Sequence, residues 1–173
     1  MIDRSDPRWA AYVAMTEALI EDFRAHNGEV TSGPFAGRTV LLLTTIGAKS
    51  GKPRLAPLIY TLAGDGYVIA ASSAGSPANP AWFANLVANP VVTVELGGET
   101  FTVRARVTEG DDRDRLWAEH VAAHPVQLRS DTSTRRGPRR LAAFAELSEP
   151  GPAGPVRNEL RDSARGPTAR GLS

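Results

Sequence analysis

Three glycine-bearing turns set the terms on which this chain can fold. "GAKSGK" (47–52), "AGDG" (63–66) and Gly97-Gly98 each separate two short runs of apolar and β-branched residues. The runs are "RTVLLLTTI", "RLAPLIYTL", "YVIAAS", "VVTVEL" and "ETFTVRARV". Segments of this length and content, broken by tight turns, predict five strands joined mostly as antiparallel hairpins. Asp65-Gly66 is a type I′ turn pair. In the last run Phe101, Val103, Ala105 and Val107 alternate with Thr102, Arg104, Arg106 and Thr108, so one face is dry and the other polar. Pro57 lies inside the second run. Proline donates no ladder hydrogen bond, so an edge, a bulge or a ligand-facing break is expected there.

Helical patterns lie before, within and after these strands. Asp6 and Pro7 suit an N-cap and a first turn. Trp9, Tyr12, Val13, Thr16, Leu19, Ile20 and Phe23 then recur at helical spacing, and Asn27-Gly28 is a stop signal. Asn79 and Pro80 read as the N-cap and first residue of a short helix, "PAWFANLVAN", with Trp82 and Leu86 turned inward. "DDRDRLWAEHVAAH" predicts a later long helix. Antiparallel hairpins with a few helices make an α+β protein built on a small barrel. After Pro125 the composition turns to Arg, Pro, Gly, Ser and Ala. The expected organisation is one domain over 1–125 and an atypical, mostly disordered tail over 126–173, with a helical turn or two at "RLAAFAEL".

Bulk properties exclude several function classes. The net charge of +1 gives no general attraction to nucleic acid. The tail carries nine arginines against five acids and the body eleven bases against fourteen acids, too mixed for a polyanion-binding arm. With no cysteine there is no disulfide, thiolate metal site or cysteine nucleophile. The charged opening "MIDRSDPRW" is unlike a signal peptide, and runs such as "VLLL" are too short to cross a bilayer. A cytoplasmic protein is expected. His120 and His124 have metal-ligand spacing, but Glu119 precedes the pair and no third ligand suggests itself. No metal site is assigned. Neither a nucleophile elbow nor a dinucleotide-binding glycine motif occurs, and "GAKSGK" has the wrong spacing for a P-loop.

The first turn is the unusual one. The chain has two lysines and eighteen arginines, and both lysines, Lys49 and Lys52, fall in "TTIGAKSGKPRLAPL". Arg54 follows closely, and Ser50 adds a hydroxyl. Gly47 and Gly51 allow close backbone approach. Two readings stand: a solvated hairpin tip, or a cradle in which cations and backbone N–H groups hold an anion.

Two motifs at this spacing carry a resemblance. "TTIGAKSGKPRLAPL" is similar to T-T-x-G-R-K-[ST]-G-x-x-R-x-x-P-L, and "AASSAGSPANPAWFANLVANP" to A-S-x-G-G-x-x-x-x-P-x-W-[YF]-x-N-L-x-A-N-P. Together they resemble the deazaflavin-dependent nitroreductases, actinobacterial oxidoreductases that use coenzyme F(420), an 8-hydroxy-5-deazaflavin. The resemblance covers most of 7–125. It implies a split β-barrel of the FMN-binding type with an N-terminal amphipathic helix, a short internal helix and a later long one. It also implies hydride transfer to a small-molecule electron acceptor such as a quinone or nitroaromatic.

The same resemblance implies site residues. Lys49 and Arg54, with Ser50, Gly51 and Lys52 between them, would hold the cofactor's phosphate and glutamate tail. Pro57 and Leu58 would line its ring system. Ser72 would stand at the reacting edge as the first candidate for a catalytic role, with Ser73 beside it. Trp82 and Asn85 would flank the pocket, and Trp82 has an equally good reading as core. The alternatives are a non-catalytic deazaflavin-binding or storage protein, or an FMN-binding split barrel. A homodimer and weak membrane-surface contact through the N-terminal helix are further expectations, and no nucleic acid is expected.

Three departures stand out. Ala48 replaces the motif's arginine, Ser73 stands where many members carry a cation, and the tail lacks the family's aromatic stretch and final strand. The last implies a barrel short of a strand, with an unpaired edge.

Overall fold

The computed structural model describes residues 6–64, 66–71 and 79–124, and the backbone of 144–148. Helix α1 (Pro7–Ala25) precedes a short 3-10 turn (Gly33–Phe35) and strands β1 (Val40–Ile46), β2 (Pro53–Ala63) and β3 (Gly66–Ala70). Helix α2 (Ala81–Ala88), β4 (Val91–Leu96), β5 (Glu99–Thr108), helix α3 (Gly110–Ala123) and β6 (Phe144–Ser148) follow. The strands form a closed antiparallel barrel in the order β1-β2-β3-β6-β5-β4. Pairing of Leu42–Thr44 with Thr93–Glu95 joins the ends of the ring.

The sixth strand corrects the sequence reading. Phe144–Ser148 was expected as part of a helical turn and then disorder; it is extended and pairs on both sides. It meets Tyr67–Ala70 of β3 and Arg104–Thr108 of β5. Two open edges offer a full set of backbone partners, and that outweighs the helical preference of an Ala/Leu/Glu-rich segment. The barrel is therefore not short of a strand, and residues beyond 125 contribute to it. The rest of the expected tail, and Asp65, lie outside the described residues.

Alternation along the strands sorts the core. Leu41, Leu43, Ile69, Val92, Val94, Val103 and Ala105 fill the barrel with Trp82 and Leu86 of α2. Full burial of such side chains contributes about 1.5–3 kcal/mol apiece before chain entropy is counted. The opposite face of β1 and β2 presents Val40, Leu42 and Ile59 to Leu19 and Phe23 of α1. Asp6 caps that helix through the Arg8 N–H at 2.9 Å, as its position suggested. An exposed ion pair from Arg24 to Glu95, at 2.6 Å, ties the helix to β4. Helix α2 begins at Ala81, one residue later than expected, with Pro80 in the capping position and no side-chain cap.

Within β2, Tyr60–Ala63 pairs with β3 and Pro53–Ile59 pairs with β1. Among the described residues Pro57 thus sits in a stretch with a strand on one side alone, the edge that a mid-strand proline called for.

Helix α3 lies outside β3, with Leu116 on Val68. Its two histidines meet β2. His124 Nε2 is 3.0 Å from the Tyr60 carbonyl and 3.1 Å from Thr61 Oγ1, and His120 Nδ1 is 2.8 Å from the same hydroxyl. A carbonyl only accepts, so His124 Nε2 carries a proton. The Thr61 hydroxyl lies between the two rings, within hydrogen-bond distance of each. Burial, with a smaller contribution from His124, pushes the His120 pKa down to about 4. Among the described residues no group of three His, Cys, Asp or Glu could hold a metal ion.

This clamp predicts a pH dependence. An unfolded histidine titrates near pH ~6.5. Below that, the unfolded chain binds a proton that folded His120 refuses until about pH 4. The stabilisation is complete above the unfolded value and falls as the pH drops through this window, by roughly 2–3 kcal/mol in all. Urea unfolding at pH 7 and pH 4.5 should show a steeper loss for the native protein than for His120→Gln. Parallel losses would refute the assignment.

Candidate functional site

The basic turn closes one end of the β1–β2 hairpin. Its shape comes from its own backbone: Gly47 N–H donates to Lys52 O at 2.9 Å, and Gly51 N–H to Gly47 O at 2.8 Å. Gly51 adopts φ +63°, in the left-handed region that favours glycine. Gly47 is buried, and a Cβ there would lie 2.5 Å from Ser50 Oγ and 3.2 Å from Lys52 O. The Ser50 hydroxyl is folded back over Gly47 and accepts from Lys52 N–H at 3.3 Å. Accepting that bond leaves the hydroxyl its own proton, so the donor role expected of Ser50 stays open.

Helix α2 braces the turn from beneath. Ala48 N–H donates to Asn85 Oδ1 at 3.0 Å. Asn85 Nδ2 donates to Thr45 Oγ1 at 3.1 Å, and the Thr45 hydroxyl reaches Arg54 O at 3.4 Å. Asn89 Nδ2 donates to Ile46 O at 3.2 Å. Thr45 and Asn85 are buried, Thr45 completely.

The outer surface of the turn is cationic. Lys49, Lys52 and Arg54 are exposed. Among the described residues none has a carboxylate within ion-pair distance. Four of the six backbone N–H groups from Gly47 to Lys52 are used internally. Those of Lys49 and Ser50 have no acceptor among the described residues. Three cations and two adjacent N–H groups on one exposed turn can receive an anion.

Other candidates fall elsewhere. Leu58 packs on the barrel interior and Pro57, its neighbour, points to the opposite face, so the two side chains do not share a surface. Trp82 is 8% exposed and stacks edge-on to Phe83 at 6.0 Å, a core position. Ser72 and Ser73 lie outside the described residues and follow the buried Ala71. The bracing roles of Thr45, Asn85 and Asn89 were not foreseen. The signal was there: two asparagines one helical turn apart, one inside an otherwise apolar helix and one at its C-cap.

Comparison with known proteins places the chain in a family. The family model for F(420)H(2)-dependent quinone reductases matches residues 17–138. The chain belongs to that family. An F(420)H(2)-dependent quinone reductase of Mycobacterium tuberculosis is 40% identical over 97 residues, 55% of this chain and 65% of that protein. The chain thus matches just under two thirds of that relative's length. The solved structure of an F(420)-H(2)-dependent reductase, FDR-A, is 35% identical with a TM-score of 0.54, over 63% of this chain and 93% of that one. A second, described as a domain-swapped dimer, is 31% identical with a TM-score of 0.56, over 80% and 98%.

The turn's packing is directly testable. Gly47→Ala should push the Ser50 hydroxyl off the turn and cost about 1–3 kcal/mol of stability, an overpacking penalty. Gly47→Ala combined with Ser50→Gly should recover most of it. A double variant no more stable than the single one would show that Ser50 is not the obstacle.

Proposed function

We propose that the chain binds reduced deazaflavin through its basic turn and serves hydride transfer to an electron-poor acceptor of the quinone or nitroaromatic class. The observation that carries this reading is the cluster of Lys49, Lys52 and Arg54 without carboxylate partners among the described residues, in a chain of this family. When bound, F(420)H(2) would supply a hydride and release a proton, and with the uptake of one proton a quinone becomes its hydroquinone while oxidised deazaflavin remains.

The residues present suit such a group. Its phosphate and glutamate carboxylates are anionic, and Lys49, Lys52 and Arg54 would neutralise them while the Lys49 and Ser50 N–H groups donate to a phosphate oxygen. The polypeptide's part is binding and orientation rather than proton chemistry. Pro57, Leu58, Ser72 and Ser73 complete the proposed ring site, with contact at 57–58 coming from backbone and one side chain. Ser72 is the residue proposed at the reacting edge. The storage alternative drew its support from the missing aromatic stretch over the acceptor site; β6 closes the ring without supplying that stretch.

Two surface properties belong to the same proposal. Similarity to a structure described as a domain-swapped dimer supports a homodimer. Tyr12 and Met15, exposed on α1, support contact with a membrane surface from a cytoplasmic location. No helix among the described residues is long and apolar enough to cross a membrane.

The full chain should bind F(420) in a fluorescence titration, bind FMN far more weakly, and oxidise F(420)H(2) when menadione is added. Lys49→Ala should raise the Kd about fivefold, the scale of one exposed charge contact. The difference should shrink in high salt. Binding without turnover would favour storage, and preference for FMN would overturn the cofactor assignment.

A further inference from the structure

Asn85 is a buried amide on a face of α2 that otherwise carries Trp82 and Leu86 into the core. A buried polar side chain without partners costs about 1–3 kcal/mol. Here the partners are specific. A backbone N–H requires an oxygen, so the Ala48 bond fixes the amide orientation, and Nδ2 then faces Thr45 Oγ1. The Thr45 hydroxyl in turn points its proton at Arg54 O. One amide therefore reaches the residue before Lys49, the strand that leads into the turn, and the backbone of the third cation.

We infer that Asn85 is a positioning residue: it sets the anion affinity of the turn by fixing its shape from beneath, through Ala48 and Thr45. This rests on the reading of the turn as an anion site. Tying down the Ala48 N–H fixes the Gly47–Ala48 peptide plane, one plane before that of the Lys49 N–H. It leaves the Lys49 and Ser50 N–H groups as the outward-facing pair. Asn89, holding Ile46 O at 3.2 Å, gives the helix a second grip at the same end of β1. The brace is neutral, so it holds the turn without consuming any of its three cations.

The test is a double-mutant cycle on the full chain, with F(420) and inorganic phosphate as separate probes. Asn85→Ala should expose the Ala48 amide to hydrogen exchange and raise the Kd for F(420) about tenfold, the scale of a lost polar network. Lys49→Ala should cost about fivefold in the native background and less than twofold in Asn85→Ala, because the lysine is then no longer held in place. Thr45→Val should weaken binding in the same direction, and Thr45→Ser, which keeps the hydroxyl, should restore it. If Asn85 touches the ligand independently, or serves stability alone, the two costs will multiply and the inference fails. Phosphate, followed by the Lys49 and Ser50 amide shifts, separates the two levels. Phosphate binding that weakens in Asn85→Ala while F(420) does not bind the native protein would overturn the cofactor and keep the brace. Unchanged phosphate and F(420) affinities in both Asn85→Ala and Thr45→Val would overturn the brace. Failure of the native protein to bind either probe would overturn both.

Discussion

A continuous ring of strand pairings holds this molecule together, and the interior core and the site both depend on it. Backbone donors and acceptors inside a core must be paired, and a sheet with two open edges leaves a row of them on each side. Here β1 meets β4 on one side of the ring and β6 bridges β3 and β5 on the other. Once closed, the ring fixes which residues face inward, because successive side chains alternate. Leu41 and Leu43 then point into the barrel, and Thr45, next in the same series, is carried to its rim. The placement of Thr45 beneath the basic turn is thus a consequence of register.

Much of this was legible from the residues. The hairpins, the alternation of β5 and the one-sided position of Pro57 follow from period-2 patterning and from proline's missing donor. So does α1, whose cap and apolar spacing are strong local signals. What escaped notice is instructive. β6 is a five-residue strand between Arg/Pro/Gly-rich flanks, and its local preference is helical. Only two distant edges make it a strand, and no local pattern reports such long-range pairing. The bracing of the turn by α2 was missed for the same reason: Ala48 and Asn85 are 37 positions apart. A short apolar helix carrying asparagines at both 85 and 89 offered the one clue.

The site was legible in its charges and less so in its shape. Concentrating both lysines in one turn drew attention to it before any geometry was known. The structure adds that much of the turn's hydrogen-bonding capacity is spent inwardly. The Ser50 hydroxyl covers Gly47, and four backbone N–H groups have internal acceptors. The outward face consequently offers three side-chain cations, two N–H groups and the Ser50 hydroxyl proton.

That division bears on how the turn exists without an anion. Three neighbouring cations repel, but for exposed charges the cost is small, about 0.5 kcal/mol per pair at ~8 Å in water and less in physiological salt. The six hydrogen bonds within the turn and to α2 and Thr45 contribute roughly 0.5–1.5 kcal/mol each, enough to exceed that repulsion. The turn can therefore be folded without an anion, as the proposed site requires. A preformed cradle binds more tightly than one ordered by the ligand, because the cost of ordering has already been met on folding. Ala48 belongs in the same account. Its side chain lacks the charge that the related motif carries, yet its N–H is the point at which α2 holds the turn. At this position the chain relies on backbone geometry rather than on one more cation, so in the proposed anion site the neutral brace beneath the surface would share the work with Lys49, Lys52 and Arg54.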